Sequence, residues 1–253
     1  MKRIDILKVL LCFIIVIVFA QPSLAAESDH DNEEYSYNTV FPEDYVPLKN
    51  PKVVYLTFDD GPAKYTPQII EILKRYNVPA TFFVVGSTEY THYMKMIVEN
   101  SHAIGLHCYS HKFEQIYKSR EAFFEDMQKI DDIVFAETGV RSMIMRFPGG
   151  SSVTRGTSKS MMKQLAKDVQ ERGYQYFDWN CDSSDKKGVK TASGALAKIK
   201  ASQKVAGDIV IVLMHDTEKI TVEYLPGVIE YFMDHGYDFM PLSLSSPAIH
   251  HSW

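Results

Sequence analysis

Val53-Val54-Tyr55-Leu56-Thr57-Phe58-Asp59-Asp60-Gly61-Pro62 runs without a break from β-forming apolar residues into two adjacent carboxylates and a turn. An unbroken apolar run that ends on Gly-Pro is the pattern of a strand buried on both faces, as in a parallel sheet. Working outward, β-rich runs recur at 80–85, 103–107, 142–146, 174–179, 208–214 and 237–242, which with 53–57 makes seven. Amphipathic runs with recognisable ends lie between them. Thr66 is expected to cap, and Pro67 to open, a helix bearing Ile69, Ile70, Leu73 and Tyr76. Ser119 is expected to cap a long helix that stops at Gly139, and another stops at Gly173. A sevenfold alternation requires parallel strands joined by crossover helices, hence a doubly wound sheet or a barrel. The reactive residues choose between the two. Asp59 and Asp60 follow the first strand, His107 ends the third, Arg146 ends the fourth, a carboxylate cluster from Asp178 to Asp185 follows the fifth, and His215 with Asp216 follows the sixth. In a barrel such strand ends converge on one face, whereas an open sheet spreads them along a line. The expected fold is therefore a single α/β domain, a (β/α)7 barrel.

Hydrophobic residues make up 45% and charged residues 23% of the 253, the balance of a globular protein rather than a disordered or collagen-like one. The 27 Lys and Arg against 32 Asp and Glu give a net charge of -5 with no polybasic run, which excludes an electrostatic nucleic-acid footprint. Cys12, Cys108 and Cys181 are too few and too scattered for a zinc ribbon, so any metal site must draw on His and carboxylate. Residues 1–25 are expected to be a signal peptide: Lys2, Arg3 and Lys8 precede a 12-residue apolar run from Val9 to Ala20, and Ser23-Leu24-Ala25 offers the cleavage site. That run falls short of the ~20 residues of a spanning helix, so no stable membrane insertion is expected after cleavage, with an uncleaved anchor as the alternative. Cleavage removes three basic residues and Asp5, leaving 24 against 31, or -7, on a protein expected to be secreted. Residues 26–51, acidic and rich in Tyr and Pro, read as a linker or a strap on the domain. Residues 52–246 read as the folded domain, and 247–253 as a tail on which His250 and His251 are solvated.

His107 and His111 form the only His-x-x-x-His of the chain, a spacing that brings two imidazoles to one side but still needs a third ligand. Asp59-Asp60 supplies a candidate, since adjacent carboxylates after a strand point in different directions and can divide metal binding from proton transfer; otherwise they are a polar turn. Arg146, in Arg146-Phe147-Pro148-Gly149-Gly150, has a planar fork suited to holding a carboxylate, or else pairs at the surface. Its glycines let backbone N–H groups approach a ligand. His215, beyond the apolar run 209–214, sits where a proton donor would, or simply marks a polar strand exit. Met161 and Met162 read as helix packing.

Taken in order, Thr57-Phe58-Asp59-Asp60-Gly61-Pro62, His107-Cys108-Tyr109-Ser110-His111, Arg146-Phe147-Pro148-Gly149-Gly150, Asp178-Trp179-Asn180-Cys181-Asp182-Ser183-Ser184-Asp185 and Leu213-Met214-His215-Asp216 resemble the five motifs of the polysaccharide deacetylases, the NodB-homology or carbohydrate esterase family 4 enzymes. The resemblance implies a distorted barrel, a divalent metal, Zn²⁺ first and Co²⁺ or another transition metal next, and hydrolysis of N-acetyl groups on a GlcNAc-type glycan. It implies that Asp60, His107 and His111 bind the metal and that Asp59 is the general base. It further implies that Arg146 orients that base, that His215 is the general acid, and that Asp185, or else Asp182, steadies the acid. The backbone N–H at Gly149 is the expected oxyanion donor, and Tyr109, Trp179 and Leu213 are the expected groove residues.

Three positions depart from the family pattern. Gly149 stands where Tyr is common, Lys186 where Trp usually follows the fourth-motif Asp, and Cys108 where Ser or Thr is usual. With an apolar wall missing at Lys186, Trp179 or Tyr109 is expected to substitute. A disulfide between Cys108 and Cys181 is one expectation, two independent buried thiols the other. The expected function is a secreted, monomeric N-deacetylase of a cell-envelope glycan, peptidoglycan first, chitin-like oligomers next and acetylated xylan after. The alternatives are a non-catalytic glycan binder on the same scaffold, and a metallopeptidase, against which stands the absence of His-Glu-x-x-His.

Overall fold

The first long strand is buried at every position, and its apolar residues alternate between two hydrophobic layers. In the computed structural model, which describes residues 37–43, 45–46 and 48–253, Val53 and Tyr55 pack in one buried cluster and Val54, Leu56 and Phe58 in the other. The proposed signal segment 1–25 lies outside the described residues. A two-residue side-chain period between two apolar layers is the condition of a strand inside a parallel sheet. That strand, β2 (Val53–Asp59), follows a short β1 (Tyr37–Val40). Helix α1 (Thr66–Tyr76) then leads to β3 (Thr81–Val85), α2 (Tyr93–Glu99) to β4 (Ala103–Cys108), and α3 (Phe113–Ile116) with α4 (Arg120–Thr138) to β5 (Ile144–Met145). Helix α5 (Lys159–Glu171) leads to β6 (Gln175–Tyr176) and β7 (Cys181–Asp182), α6 (Ala192–Ala206) to β8 (Ile209–His215), and α7 (Lys219–Asp234) to β9 (Asp238–Phe239). A last strand, β10 (Ala248–His251), ends the chain's regular structure.

The parallel sheet runs β6-β5-β4-β3-β2-β8-β7, with β9 on the lower half of β2, and curls into a half-barrel with helices outside. Its inner layer includes Val53, Tyr55, Phe83, Ile144, Phe177, Trp179, Ile211, Leu213 and Ile249. The expected barrel architecture is thus present, with two differences of detail. The single fifth strand is broken: β6 and β7 are separate two-residue strands joined through 177–180, because the backbone of that stretch bonds to three different elements. Phe177 N–H reaches Met145 O, Asp178 N–H reaches Ile249 O and Asn180 N–H reaches Ile211 O. The expected solvated tail is instead a strand. β10 pairs antiparallel with β1, so that residues 37–40 of the expected linker form a strap with the chain's far end. Ile249 is fully buried there, as is His251, whose Nε2 bonds Trp179 O at 2.8 Å.

Three helices begin with the expected kind of cap: Ser119, Ser158 and Thr191 each accept a bond from a backbone N–H in the first turn. Thr66 does not cap α1. Its hydroxyl takes the Ala63 N–H and donates to Asp216. Cys108 and Cys181 are both buried and free, so the expected disulfide is not formed and the alternative of two separate thiols holds.

Because β10 contributes core, Ile249→Ala should lower unfolding free energy by about 2–5 kcal/mol, the usual cost of emptying a buried Ile site. A denaturant titration showing less than about 1 kcal/mol would return this segment to a solvated tail.

Candidate active site

The two-residue period that builds the inner layer also delivers the reactive side chains. On β2 the inward positions Val53, Tyr55 and Thr57 are followed by Asp59. On β4 they are Ala103, Gly105 and then His107; beyond β5, Ile144 is followed by Arg146; on β8, Ile209, Ile211 and Leu213 lead to His215. Asp59 and His215 are direct register partners, as are Leu106 and Met145, the residues just before His107 and Arg146. Neighbouring strands lie ~4.8 Å apart, so these side chains meet at one end of the sheet.

Arg146 is wholly buried, and each of its three guanidinium nitrogens is bonded. Its Nη1 donates to Asp59 Oδ1 at 2.8 Å and to Thr57 Oγ1 at 2.7 Å, its Nε to Phe177 O at 2.8 Å and its Nη2 to Asp178 O at 3.1 Å. Its guanidinium also lies 4.3 Å from the Phe83 ring centroid. Asp59, itself buried, is thereby fixed through one carboxylate oxygen.

Asp60 turns the other way because its backbone is left-handed, at φ 71°. Its Oδ1 lies 3.2 Å from His107 Nε2 and 3.1 Å from His111 Nε2. Burial alone would raise the Asp60 carboxyl, but hydrogen bonds and charge from the two histidines outweigh it and hold the group well below the usual carboxylate range. His107 Nδ1 donates to Arg146 O at 2.8 Å, which fixes the ring with Nε2 turned toward Asp60. One carboxylate oxygen and two imidazole nitrogens, all within 4.8 Å of one another, form the only such cluster of His, Cys, Asp and Glu among the described residues. That donor set fits a borderline transition metal such as Zn²⁺ with further coordination positions open.

His215 is the third component. Its Nδ1 lies 2.6 Å from Asp185 Oδ1, and Asp185 Oδ2 accepts from His215 N–H, Thr221 Oγ1 and Tyr224 OH. Burial would lower the His215 pKa, but the hydrogen bond and charge of Asp185, with Asp60 and Asp59 behind, raise it above 6.5. Burial would raise Asp185, and the same pairing with Tyr224 brings it below 3.8. Of the two acidic candidates for steadying His215, the geometry selects Asp185. Asp182 instead accepts from Ser184 N–H and Lys187, bracing its own loop. Asp216 points outward beneath α1, where burial pushes its carboxyl up to about 7.

The groove differs from expectation at Trp179, which is buried behind Arg146 and against the His251 ring and presents no face to a sugar. Leu213 is buried in the inner layer beneath His215, and Tyr109 is half-buried with its N–H on Asp126. Gly149 is exposed at φ 80°, and a Cβ there would lie 2.8 Å from Val153 and 3.0 Å from the Phe113 ring. Phe113, which the sequence reading missed, thus fills the space of the absent third-motif side chain and meets the His111 ring edge-on at 5.5 Å. Lys186, at the other departure, places its ammonium on Asp60 Oδ2.

A histidine paired with a carboxylate, a carboxylate held by an arginine and a candidate metal site of Asp60, His107 and His111 thus meet at one end of the sheet, an arrangement with the components of a hydrolase centre. Residues 48–176, half of the chain, match the polysaccharide deacetylase family, and the chain belongs to that family. It is a carbohydrate esterase family 4 hydrolase acting on amide bonds. The chain is 31% identical over 197 residues to a Bacillus cereus peptidoglycan-N-acetylglucosamine deacetylase, covering 76% of this chain and 69% of that protein. It is 31% identical over 214 residues to the Listeria monocytogenes peptidoglycan-N-acetylglucosamine deacetylase PgdA, of which it spans 42%. The catalytic domain of a Eubacterium rectale peptidoglycan N-acetylglucosamine deacetylase superposes with a TM-score of 0.79 at 37% identity, covering 83% of this chain and 97% of that one.

The raised His215 pKa carries a prediction: with His215 as proton donor, the alkaline limb of the pH–rate profile is expected above the 6.5 of an ordinary histidine. Asp185→Asn should move that limb to lower pH and reduce kcat on the order of 10²-fold; an unmoved limb would take the proton-donor role from His215.

Proposed function

We propose that this protein is a secreted, divalent-metal-dependent deacetylase that hydrolyses the N-acetyl group of GlcNAc residues in peptidoglycan. The observation that carries this reading is the division of labour between Asp59, held by Arg146 at 2.8 Å, and its neighbour Asp60, turned onto His107 and His111. Support for the glycan comes from relatives named as peptidoglycan-N-acetylglucosamine deacetylases. Support for secretion comes from the N-terminal pattern of Lys2, Arg3 and Lys8 before an apolar run and Ser23-Leu24-Ala25.

An amide carbonyl is a weak electrophile and water a weak nucleophile. An ion held by Asp60, His107 and His111, most readily Zn²⁺, would supply Lewis-acid polarisation of the carbonyl and a lowered pKa for water. Asp59 takes the proton of the attacking water on the carboxylate oxygen that Arg146 leaves free. The N–H of Gly149, at the mouth of the site, is directed to the oxyanion, a donor whose loss typically costs 10²–10³ in rate. The glucosamine nitrogen cannot leave as an anion. His215, with Nδ1 tied to Asp185, presents Nε2–H to that nitrogen and protonates it as the C–N bond breaks. Acetate and a free amine result, and the pairing with Asp185 favours the charged, proton-donating form of His215.

Acetate release from purified peptidoglycan and from GlcNAc oligomers is the test, before and after chelation and with Zn²⁺ or Co²⁺ restored. Release that chelation abolishes and metal restores, larger on peptidoglycan, is expected, with Asp59→Asn lowering kcat on the order of 10²–10⁴-fold. Release indifferent to chelator, or an Asp59→Asn enzyme with wild-type kcat, would overturn the mechanism. Release from oligomers alone would overturn the substrate.

A further inference from the structure

Asp178 lies on none of the roles derived above, yet every polar group it owns is engaged. Its backbone carbonyl accepts Arg146 Nη2 at 3.1 Å, beside the Phe177 carbonyl that accepts Arg146 Nε at 2.8 Å. Its N–H donates to Ile249 O of β10 at 2.8 Å. Its Oδ1 accepts the Ser151 N–H at 2.8 Å, and its Oδ2 accepts both the Ser151 hydroxyl at 2.5 Å and the His251 N–H of β10 at 2.8 Å. The side chain is fully buried. A carboxylate in such a place is costly unless saturated with donors, and three donors from two distant segments converge on this one.

Those segments are the ones the reaction depends on. Ser151 closes the Arg146–Ser151 loop that carries the Gly149 N–H, whose near end is held by Tyr117 OH on Pro148 O at 2.9 Å. Gly150 leaves no room for movement behind it, since a Cβ there would lie 3.1 Å from Trp179 and 3.2 Å from His251. We propose that Asp178 is a positioning residue of the deacetylase centre, through which β10 fixes both the arginine that orients Asp59 and the loop that presents the Gly149 N–H. This inference rests on the reading of Asp59 and Gly149 given under Proposed function. On this account the far end of the chain acts on the reaction without touching substrate.

Asp178→Asn separates the two links. The amide oxygen can still accept the Ser151 N–H, while its NH₂ faces the His251 N–H, donor against donor, so the side-chain bond to β10 is lost at constant volume and only the backbone bond to Ile249 O remains. We expect kcat to fall about 10–100-fold with KM within about twofold, the signature of misplaced rather than unbound substrate. Hydrogen exchange in segments 147–153 and 248–251 should rise while that of α1 is unchanged. Ser151→Ala should give a smaller loss of kcat alone and no further loss on top of Asp178→Ala. A merely structural Asp178 would instead lower Tm and leave kcat per folded molecule within about twofold of wild type, which would overturn the proposal, as would exchange unchanged at both segments. The exchange readout needs no turnover. A wild-type chain that releases no acetate but loosens at both segments in Asp178→Asn would refute the deacetylase reading and leave the coupling standing.

Discussion

A buried ion pair governs this structure. Arg146 and Asp59 meet at 2.8 Å inside the sheet, both buried. Two charges so placed are stable only when their remaining hydrogen-bonding capacity is met by protein. Thr57 and the carbonyls of Phe177 and Asp178 meet it, with the Phe83 ring beneath the guanidinium. Those partners come from β2, from β3 and from the stretch at 177–178, so the arginine ties three parts of the wall together as well as holding Asp59. Breaking such a pair from one side leaves a buried charge, a loss of about 3–5 kcal/mol in comparable sites.

The second constraint is chain direction at the ends of strands. Asp59 and Asp60 are covalent neighbours with the same side chain, but the strand aims one inward to Arg146 and a left-handed backbone at φ 71° aims the next at His107 and His111. His215 and Asp216 are divided in the same way. His215 faces inward to Asp185 and is raised toward its charged form, while Asp216 faces the helix layer, bonds Thr66 and is raised toward its neutral form. Period-two geometry converts adjacency in sequence into opposite chemical roles.

Much of this was legible in the residues. The apolar runs predicted the strands, their polar ends predicted which face would carry chemistry, and the ordered motifs predicted which residues meet there. Alternation carries more information than was drawn from it: Asp59, His107 and His215 each continue the inward row of their strand, and Ile144 two residues earlier does the same for Arg146. What stayed hidden depends on contacts distant in sequence. Ala-Ile-His-His at 248–251 is short and half polar, and only its partners at 37–40 and at Asp178 make it a buried strand. Trp179 reads as a sugar platform by type, but the strand aims it behind Arg146. Phe113 fills the gap left by Gly149 across a fold that no local pattern describes. The break between β6 and β7 has the same origin, since its N–H groups find carbonyls on three separate elements.

On the proposed reading, Asp60, His107 and His111 hold one ion while Asp59 remains outside its coordination, kept by Arg146. Anomalous diffraction at the cobalt or zinc edge from metal-loaded crystals tests it most directly. A single peak within bonding distance of Asp60 Oδ1, His107 Nε2 and His111 Nε2, with Asp59 still on Arg146, is the predicted result. A peak ligated by Asp59, or one away from this trio, would contradict it.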